Sequence, residues 1–457
     1  MPSILLTHGY SLQDDEKEQQ IMRPYPPLGL LYVSAWLTKH QLENEVFDTT
    51  FAGMDALNVK IETLQPNYLC IYVNLMTRVR VLELMRFTKL VSPNTTIILG
   101  GPEVRYSANE FLNHGANYIV VGEGEQTCLE LIQGLESQKD LTHVKGLVYI
   151  GADGVLHKTG EQEKLKDLDQ LPNPARDKID MDAYLKSWKK AHGMNAISVN
   201  TMRGCPYTCK WCSRAVYGLS YRRRSPKHVV RELLDIRKHY NPDTLWFVDD
   251  VFSVSHKWLR EFTQEVVNAD AVIPYECITR ADRMNEEVID LLKESGCFRV
   301  WIGAESGSQD VIDAMDRRVD VKYVREMIQL ARKKGLQAGT FIMLGYPGEK
   351  EKDIEETINH LVTSRPDYYT ITLAYPIRGT ELYDEVQESF VHPPDWAVSS
   401  DRQIDFKRTY NRKYYDYAIR YVVNMVEGTR THGWKSAKHK MKSIAARSAM
   451  LFEKSIR

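Results

Sequence analysis

Twice along its 457 residues this chain alternates short β-branched runs with apolar residues at helical spacing, and such alternation demands parallel sheets covered by helices on both faces. The first series fills residues 1–150. Ser3–Thr7, Glu45–Asp48, Tyr68–Val73, Thr96–Gly100 and Tyr118–Val121 read as strands, with helices over Pro27–His40, Val79–Leu90 and Gln126–Leu135 between them. Sheets of this kind bind ligands beyond the C-terminal ends of their strands. Those ends carry Asn74-Leu75-Met76-Thr77, Gly100-Gly101-Pro102-Glu103 and Gly122-Glu123-Gly124-Glu125.

Residues 151–190 are charged, contain Pro172 and Pro174, and show little periodicity, as expected of a linker. The second series follows. Its strands are expected at Ala196–Met202, Thr244–Val248, Pro274–Thr279, Arg299–Ala304, Gln337–Leu344 and Tyr368–Ala374. Helices fit at Pro226–His239, His256–Asn268, Asn285–Ser295, Val321–Lys334 and Lys350–Thr363. Six βα units fall short of the eight that close a barrel, so an open, partial barrel over 191–395 is the economical reading. Residues 396–457 form a third, mainly helical region.

Between the first and second strands of the second series lies Arg203-Gly204-Cys205-Pro206-Tyr207-Thr208-Cys209-Lys210-Trp211-Cys212. Three of the seven cysteines thus fall within eight residues. The apolar run Ile4-Leu5-Leu6 is too short for a secretory signal, which points to a reducing cytosol and to a metal site rather than disulfides. Three thiolates on one short loop suit a soft metal centre. A structural zinc site closes with four ligands, and His192 and His228 are distant in sequence, so zinc is the weaker reading. Cys70, Cys128, Cys277 and Cys297 sit in apolar contexts and read as small core residues.

The CxxxCxxC spacing, with Trp211 before its last cysteine, resembles the radical S-adenosylmethionine (SAM) superfamily. The resemblance implies that Cys205, Cys209 and Cys212 hold three irons of a four-iron four-sulfur (4Fe-4S) cluster whose fourth iron chelates SAM. Reductive cleavage then yields a 5′-deoxyadenosyl radical. Further matching fragments follow in order at strand ends. Asp249-Asp250, Arg280, Glu305-Ser306, the Gly345 turn and Tyr375, together with Trp211, are the SAM contacts the resemblance implies. Gly339 falls in the glycine-containing fifth-strand motif. Taken singly, Asp249-Asp250 also reads as a helix-capping pair and Gly345–Gly348 as an ordinary turn. Tyr221–Pro226 has two readings: a basic loop with Ser225 capping the next helix, or Arg222 or Arg224 facing the SAM carboxylate.

A doubly wound, Rossmann-like domain placed before such a core resembles the cobalamin-binding subgroup of the superfamily. The implied cobalamin contacts are Pro27, Leu28, Gly29, Asn74, Leu75, Met76, Thr77, Gly100, Gly101, Glu103, Gly122, Glu123 and Gly124. Glycines after strands let a bulky cofactor approach the backbone. Neither a GxGxxG fingerprint nor an Asp-x-His-x-x-Gly loop occurs, so cobalamin is expected without a histidine lower ligand, its lower face over Asn74–Arg78. A domain that has lost cobalamin and serves only in packing is the alternative.

These features imply a cytoplasmic, cobalamin-dependent radical SAM enzyme that methylates an unactivated carbon of a small molecule or lipid. Oxidative cyclisation or ring rearrangement without methyl transfer is the enzymatic rival, and a cluster- or cobalamin-containing sensor the non-enzymatic one. An electron donor such as flavodoxin or ferredoxin is the expected partner. With a net charge of −1, no nucleic-acid partner is expected. That balance conceals a division: residues 396–457 hold 14 Lys and Arg against 5 Asp and Glu. Within them, Trp434, Met441, Ile444, Ala445, Ser448, Leu451 and Phe452 share one helical face beside Lys435, Lys438, Lys440, Lys442 and Arg447. That stripe either packs on the protein's own core or lies on an anionic membrane. The tyrosines at 410–421 are expected either to roof the barrel and shape a substrate cavity or simply to pack.

Overall fold

The computed structural model describes residues 2–392, 395–399 and 401–455. Their contacts divide the chain into two compact units, one of Met1–Pro206, Ser213–Leu245 and Asp395–Ser400, the other of Tyr207–Cys212, Trp246–Pro394 and Asp401–Arg457. Among the described residues no helix is long and apolar enough to cross a membrane.

The first unit is built on β1 (Ile4–His8), β2 (Glu45–Phe47), β3 (Tyr68–Tyr72), β4 (Thr96–Gly100), β5 (Tyr118–Val120), β6 (Leu147–Ile150) and β7 (Leu156–Lys158), in the order β2-β1-β3-β4-β5-β6-β7. The first five run parallel, and the last two add antiparallel to the edge. The period-2 pleat divides each strand between two cores. Leu6, Cys70 and Ile98 stand in register on one face, and Leu5, Leu69 and Ile97 on the other. The expected doubly wound sheet is therefore present, with a hairpin edge that the helical alternation does not announce. Helices Thr49–Leu64, Val104–Asn113 and Met181–His192 are likewise additions to the sequence reading. The last lies in the 151–190 stretch, where Asp180 caps it and Tyr184, Leu185 and Trp188 are buried.

The second sheet has the order β15-β14-β13-β12-β11-β8, with β8 at Ala196–Val199, β11 at Thr244–Phe247, β12 at Tyr275–Thr279, β13 at Cys297–Glu305, β14 at Gln337–Leu344 and β15 at Tyr368–Leu373. Strands β12 to β15 pair in parallel, each with the next along the chain, as a partial barrel requires. A two-stranded ribbon, β9 (Met202–Arg203) with β10 (Arg222–Arg223), belongs to the first unit.

Near that ribbon the first unit buries charge. Glu232, with no exposed surface, pairs with Arg176 at 2.7 Å and with Arg224. Arg176 donates to the Ser198 carbonyl and Arg224 to that of Asn200, at 2.8 and 2.9 Å. Ser225 caps helix Pro226–Tyr240 through the His228 N–H. Arg224 is thus engaged inside this network, and Arg222 contacts Glu123 at 2.5 Å and the Leu165 carbonyl at 2.9 Å.

The C-terminal region is a helical hairpin, Arg412–Arg430 followed by Gly433–Ser455. Tyr414, Tyr415 and Tyr421 are buried. The Tyr415 hydroxyl donates to the Glu349 carbonyl at 3.4 Å and the Tyr421 hydroxyl to Glu355 at 3.0 Å. These tyrosines pack the hairpin against helix Glu351–Ser364, the packing alternative of the sequence reading.

Burial would by itself raise the Glu232 carboxyl, but Arg224 and Arg176 outweigh it and hold the group below its usual range. Replacing Glu232 by Gln leaves two buried guanidiniums without their counter-charge. The expected loss is about 3–5 kcal/mol, read as a lower urea midpoint with the cofactor-free protein.

Candidate active site

The parallel register brings five of the strand-end motifs to one edge of the second unit. Asp249-Asp250 follow β11, Arg280 follows β12, Glu305 ends β13, Gly345 follows β14, and Tyr375 lies just beyond β15. Asp249 is buried, whereas Asp250 retains exposed surface. Desolvation by the surrounding protein, then the Asp249 charge, raises the Asp250 carboxyl. Ser306 turns its hydroxyl toward Thr357 at 3.2 Å and accepts the Ser308 N–H, which commits it to packing against helix Glu351–Ser364. Gly339 is filled from the side: a Cβ there would lie 2.4 Å from the Trp301 ring.

Glu305 holds a left-handed conformation, φ 66°, which costs a non-glycine residue energy and is found where a site imposes it. A register shift between Gly303 and Glu305 accompanies it. Gly303 leaves room for Arg317, since a Cβ would stand 2.4 Å from its Nη2. Arg317 in turn donates to the Gly303 carbonyl at 2.7 Å and lies 3.6 Å from Glu305. Burial raises the Glu305 carboxyl, against the pull of Arg317 and Arg280.

Of the three cysteines, Cys209 is buried, Cys205 is half-buried and Cys212 is exposed. Among the described residues none of the seven cysteines forms a disulfide, and no three His, Cys, Asp or Glu side chains converge on a single-ion site. Two buried guanidiniums address Cys209: Arg280 Nη1 is 3.8 Å and Arg317 Nη1 3.9 Å from its Sγ. Arg280 is steadied by Asp282 and the Arg317 carbonyl, both at 2.8 Å, and by the Tyr207 ring. Trp211, itself half-buried, packs against the buried cluster that contains Val311, Met315, Tyr346, Leu382 and Phe406. Thiolates that receive N–H donors suit an iron–sulfur centre, whose sulfurs carry the negative charge. Arg317 belongs to no motif, and nothing in its local sequence singles it out.

In the first unit a cavity of about 250 Å³ opens at the C-terminal strand ends. Gly29, Gly100, Gly101, Gly122, Glu123 and Gly124, all among the expected cobalamin contacts, line it over an apolar floor that includes Leu6, Leu30 and Ile98. Gly101 is required there, because at φ 116° a Cβ would come within 2.4 Å of the Val73 carbonyl oxygen. A glycine rim over an apolar hollow fits the flat, apolar base of a cobalamin tail. Pro27, Leu28, Asn74, Leu75, Met76, Thr77 and Glu103 lie outside the cavity lining. Asn74 and Thr77 close a tight turn through bonds of 3.0 and 3.1 Å, which leaves the Leu75 and Met76 side chains at its tip. Glu103 pairs with the buried Arg78. His8 has both ring nitrogens engaged, Nε2 by Asp48 at 2.9 Å and Nδ1 by the Tyr10 N–H at 3.1 Å.

Two family models match the chain. Residues 21–132 match the B12 binding domain and residues 199–361 the radical SAM superfamily. An uncharacterized methyltransferase of Pyrococcus horikoshii is 27% identical over 79% of this chain and 78% of its own. The anaerobic magnesium-protoporphyrin IX monomethyl ester cyclase of Rubrivivax gelatinosus is 24% identical over 80% and 67%. The hopanoid C-3 methylase of Methylococcus capsulatus is 24% identical over 78% and 68%. In fold the chain is similar to the cobalamin-dependent S-adenosylmethionine radical enzyme OxsB, with TM-score 0.76, 16% identity, and coverage of 99% of this chain and 72% of that one. It is also similar to the radical S-adenosylmethionine methyltransferase TsrM of Kitasatospora setae, with TM-score 0.74, 14% identity, and coverage of 98% and 99%.

Fold and matches together define a radical SAM enzyme with a cobalamin-binding domain, whose cofactors are a 4Fe-4S cluster, SAM and cobalamin. The chain thus carries a B12 binding domain followed by a radical SAM domain.

The turn after β14 carries an ionisable group of its own. Glu349 is fully buried, and its Oε2 accepts the Gly345 N–H at 2.6 Å. Burial pushes its carboxyl up to about 8, with the Gly345 bond opposing and Asp353 adding to the rise. A raised pKa means that the fold favours the neutral acid. That contribution is complete below pH 4.5 and is lost as pH rises through about 8. Across this window the Glu349→Gln variant is expected to gain stability relative to the parent, read as the difference between urea midpoints measured at each pH.

Proposed function

We propose that this enzyme transfers a methyl group to an unactivated carbon of a small-molecule or lipid substrate. The observation that carries the reading is the glycine-rimmed cavity at the strand ends of the first sheet, in a chain that also carries, in order, the strand-end fragments the radical SAM resemblance implies. Cys205, Cys209 and Cys212 are the cluster ligands in this reading. Asp249, Asp250, Glu305 and Tyr375, at one strand-end edge, are the SAM contacts, and Gly29, Gly100, Gly101, Gly122 and Gly124 admit cobalamin.

When bound, the cluster and SAM supply a hydrogen-abstracting radical and cobalamin supplies the methyl group. The protein's own contribution is positional. Arg317 holds Glu305 at the end of β13, and Gly303 makes space for it. Arg280, braced by Asp282 and Tyr207, keeps a positive charge beside Cys209. The contacts of Trp211 with the buried cluster fix the loop between Cys209 and Cys212. A flavodoxin or ferredoxin would supply electrons.

Anaerobic turnover with SAM labelled at its methyl group tests the assignment: the label is expected in the product, with 5′-deoxyadenosine formed alongside. Similarity to the magnesium-protoporphyrin ester cyclases makes an unlabelled, cyclised product the specific alternative. Absence of 5′-deoxyadenosine from the reduced, reconstituted enzyme would defeat both.

Replacing Cys205, Cys209 and Cys212 by Ala is expected to abolish bound iron and the visible cluster absorption. Arg317→Gln removes one cation and one N–H from Cys209. The cluster should then become harder to reduce, by on the order of 40 mV for the loss of one hydrogen bond, measured by a redox titration followed by electron paramagnetic resonance.

A further inference from the structure

Helix Gly433–Ser455 is mounted with its polar side inward. Its packing face consists of Ser443, Ala446 and Met450, and its polar anchors face the same way. Ser436 donates to the Gly428 carbonyl at 2.8 Å, and His439 contacts Asn424 at 2.9 Å. Arg447 and Lys454 reach Glu351 at 3.6 and 2.9 Å. The opposite face carries Trp434, Met441, Ile444, Leu451 and Phe452. Trp434, Ile444 and Phe452 are 75%, 66% and 65% exposed. Soluble proteins normally turn such a stripe inward, and an exposed contiguous one marks an interaction surface.

The charges bordering the stripe identify its partner. At 100° per residue, Lys435, Lys438 and Lys442 run along one flank and Lys440 along the other, beside the anchored Arg447. Among the described residues none of these four lysines has an ion-pair partner. The sole acid of the helix is Glu453, which is half-buried and bonded to Asn411. An apolar face with three lysines along one flank and Lys440 on the other matches the boundary between acyl chains and anionic headgroups, with the lysine stems lying along the apolar surface and the ammonium groups in water. A second copy of this helix would set one set of flanking lysines against another, so self-pairing is opposed electrostatically.

We propose that the outward face of helix Gly433–Ser455 docks this enzyme on an anionic lipid bilayer, with Trp434, Ile444 and Phe452 entering the interface. The proposal is independent of the reaction assigned above.

Sedimentation of the full-length, cofactor-loaded protein with vesicles tests it, using phosphatidylcholine alone and phosphatidylcholine with one third phosphatidylglycerol. Binding is expected to the anionic vesicles and not to the neutral ones, and added salt should release it. Converting Lys435, Lys438, Lys440 and Lys442 to Gln should lower partitioning by about 600-fold, at roughly fivefold per lysine. Ile444→Glu with Phe452→Glu should abolish it while the cofactor spectrum and thermal midpoint stay those of the parent, because both side chains are mostly exposed. Absence of binding to the anionic vesicles, or binding indifferent to either set of substitutions, would overturn the proposal. So would a dimer in light scattering that Ile444→Glu with Phe452→Glu dissociates, since the stripe would then belong to a second copy.

Discussion

Much of this architecture rests on one buried guanidinium. Arg203, 3% exposed, lies between Glu123 and Glu125 and contacts Glu123 at 3.1 Å. Those carboxylates belong to the Gly-Glu-Gly-Glu turn after β5, while Arg203 immediately precedes Gly204-Cys205. A charge taken out of water must be paired, and removing one partner of such a set costs more than the set contributes. Burial disfavours the Arg203 charge, but Glu125, Tyr217 and Glu123 more than compensate and hold it firmly protonated. The electrostatic requirement therefore fixes where the cysteine loop begins. Glu123 has two tasks, since it lines the cavity and also accepts Arg222 from the facing ribbon strand. A turn that sequence reading gives to cofactor contact is thus also the anchor of the loop's first cysteine.

The second unit solves a related problem with different residues. A parallel sheet delivers side chains to one edge, but it does not choose their rotamers. Arg280 and Arg317 are held by backbone carbonyls and carboxylates on their other N–H groups, so the bonds that remain point at Cys209. Preorganisation of this kind places positive charge beside a sulfur without requiring movement when a cofactor binds. The strained backbone at Glu305 fits the same logic, because a strand that kept a regular register would carry that carboxylate elsewhere.

Legibility in the sequence followed the strength of each periodic signal. Every strand expected from β-branched runs is present within a few residues; most are buried on two faces, whereas the edge strands Glu45–Phe47 and Tyr368–Leu373 are partly exposed. Helix Val104–Asn113 escaped because Ser107 breaks its regularity, and Thr49–Leu64 because Gly53 does. The β6–β7 hairpin carries a signal that was there to be used: Asp153-Gly154 between two apolar runs, with the Gly151 N–H bonded to the Val155 carbonyl. Of the site, everything tied to a motif was visible, and Arg317 was not. It reaches Cys209 across 108 positions of chain, and no local pattern encodes such a contact.

The C-terminal helix marks a different limit. Its apolar stripe is correctly read from spacing, yet periodicity reports only that two faces differ, not which one the protein buries. That choice depends on what the neighbouring helix offers. Arg412–Arg430 buries its apolar positions Tyr414 and Val422 and presents the Tyr421 hydroxyl, Asn424 and the Gly428 carbonyl to the last helix. Small and polar groups such as Ser443 and Ala446 fit that surface, and Trp434 or Ile444 would not. The stripe faces outward because the inward position is already filled by a polar interface, so its hydrophobic free energy remains available to something outside the chain.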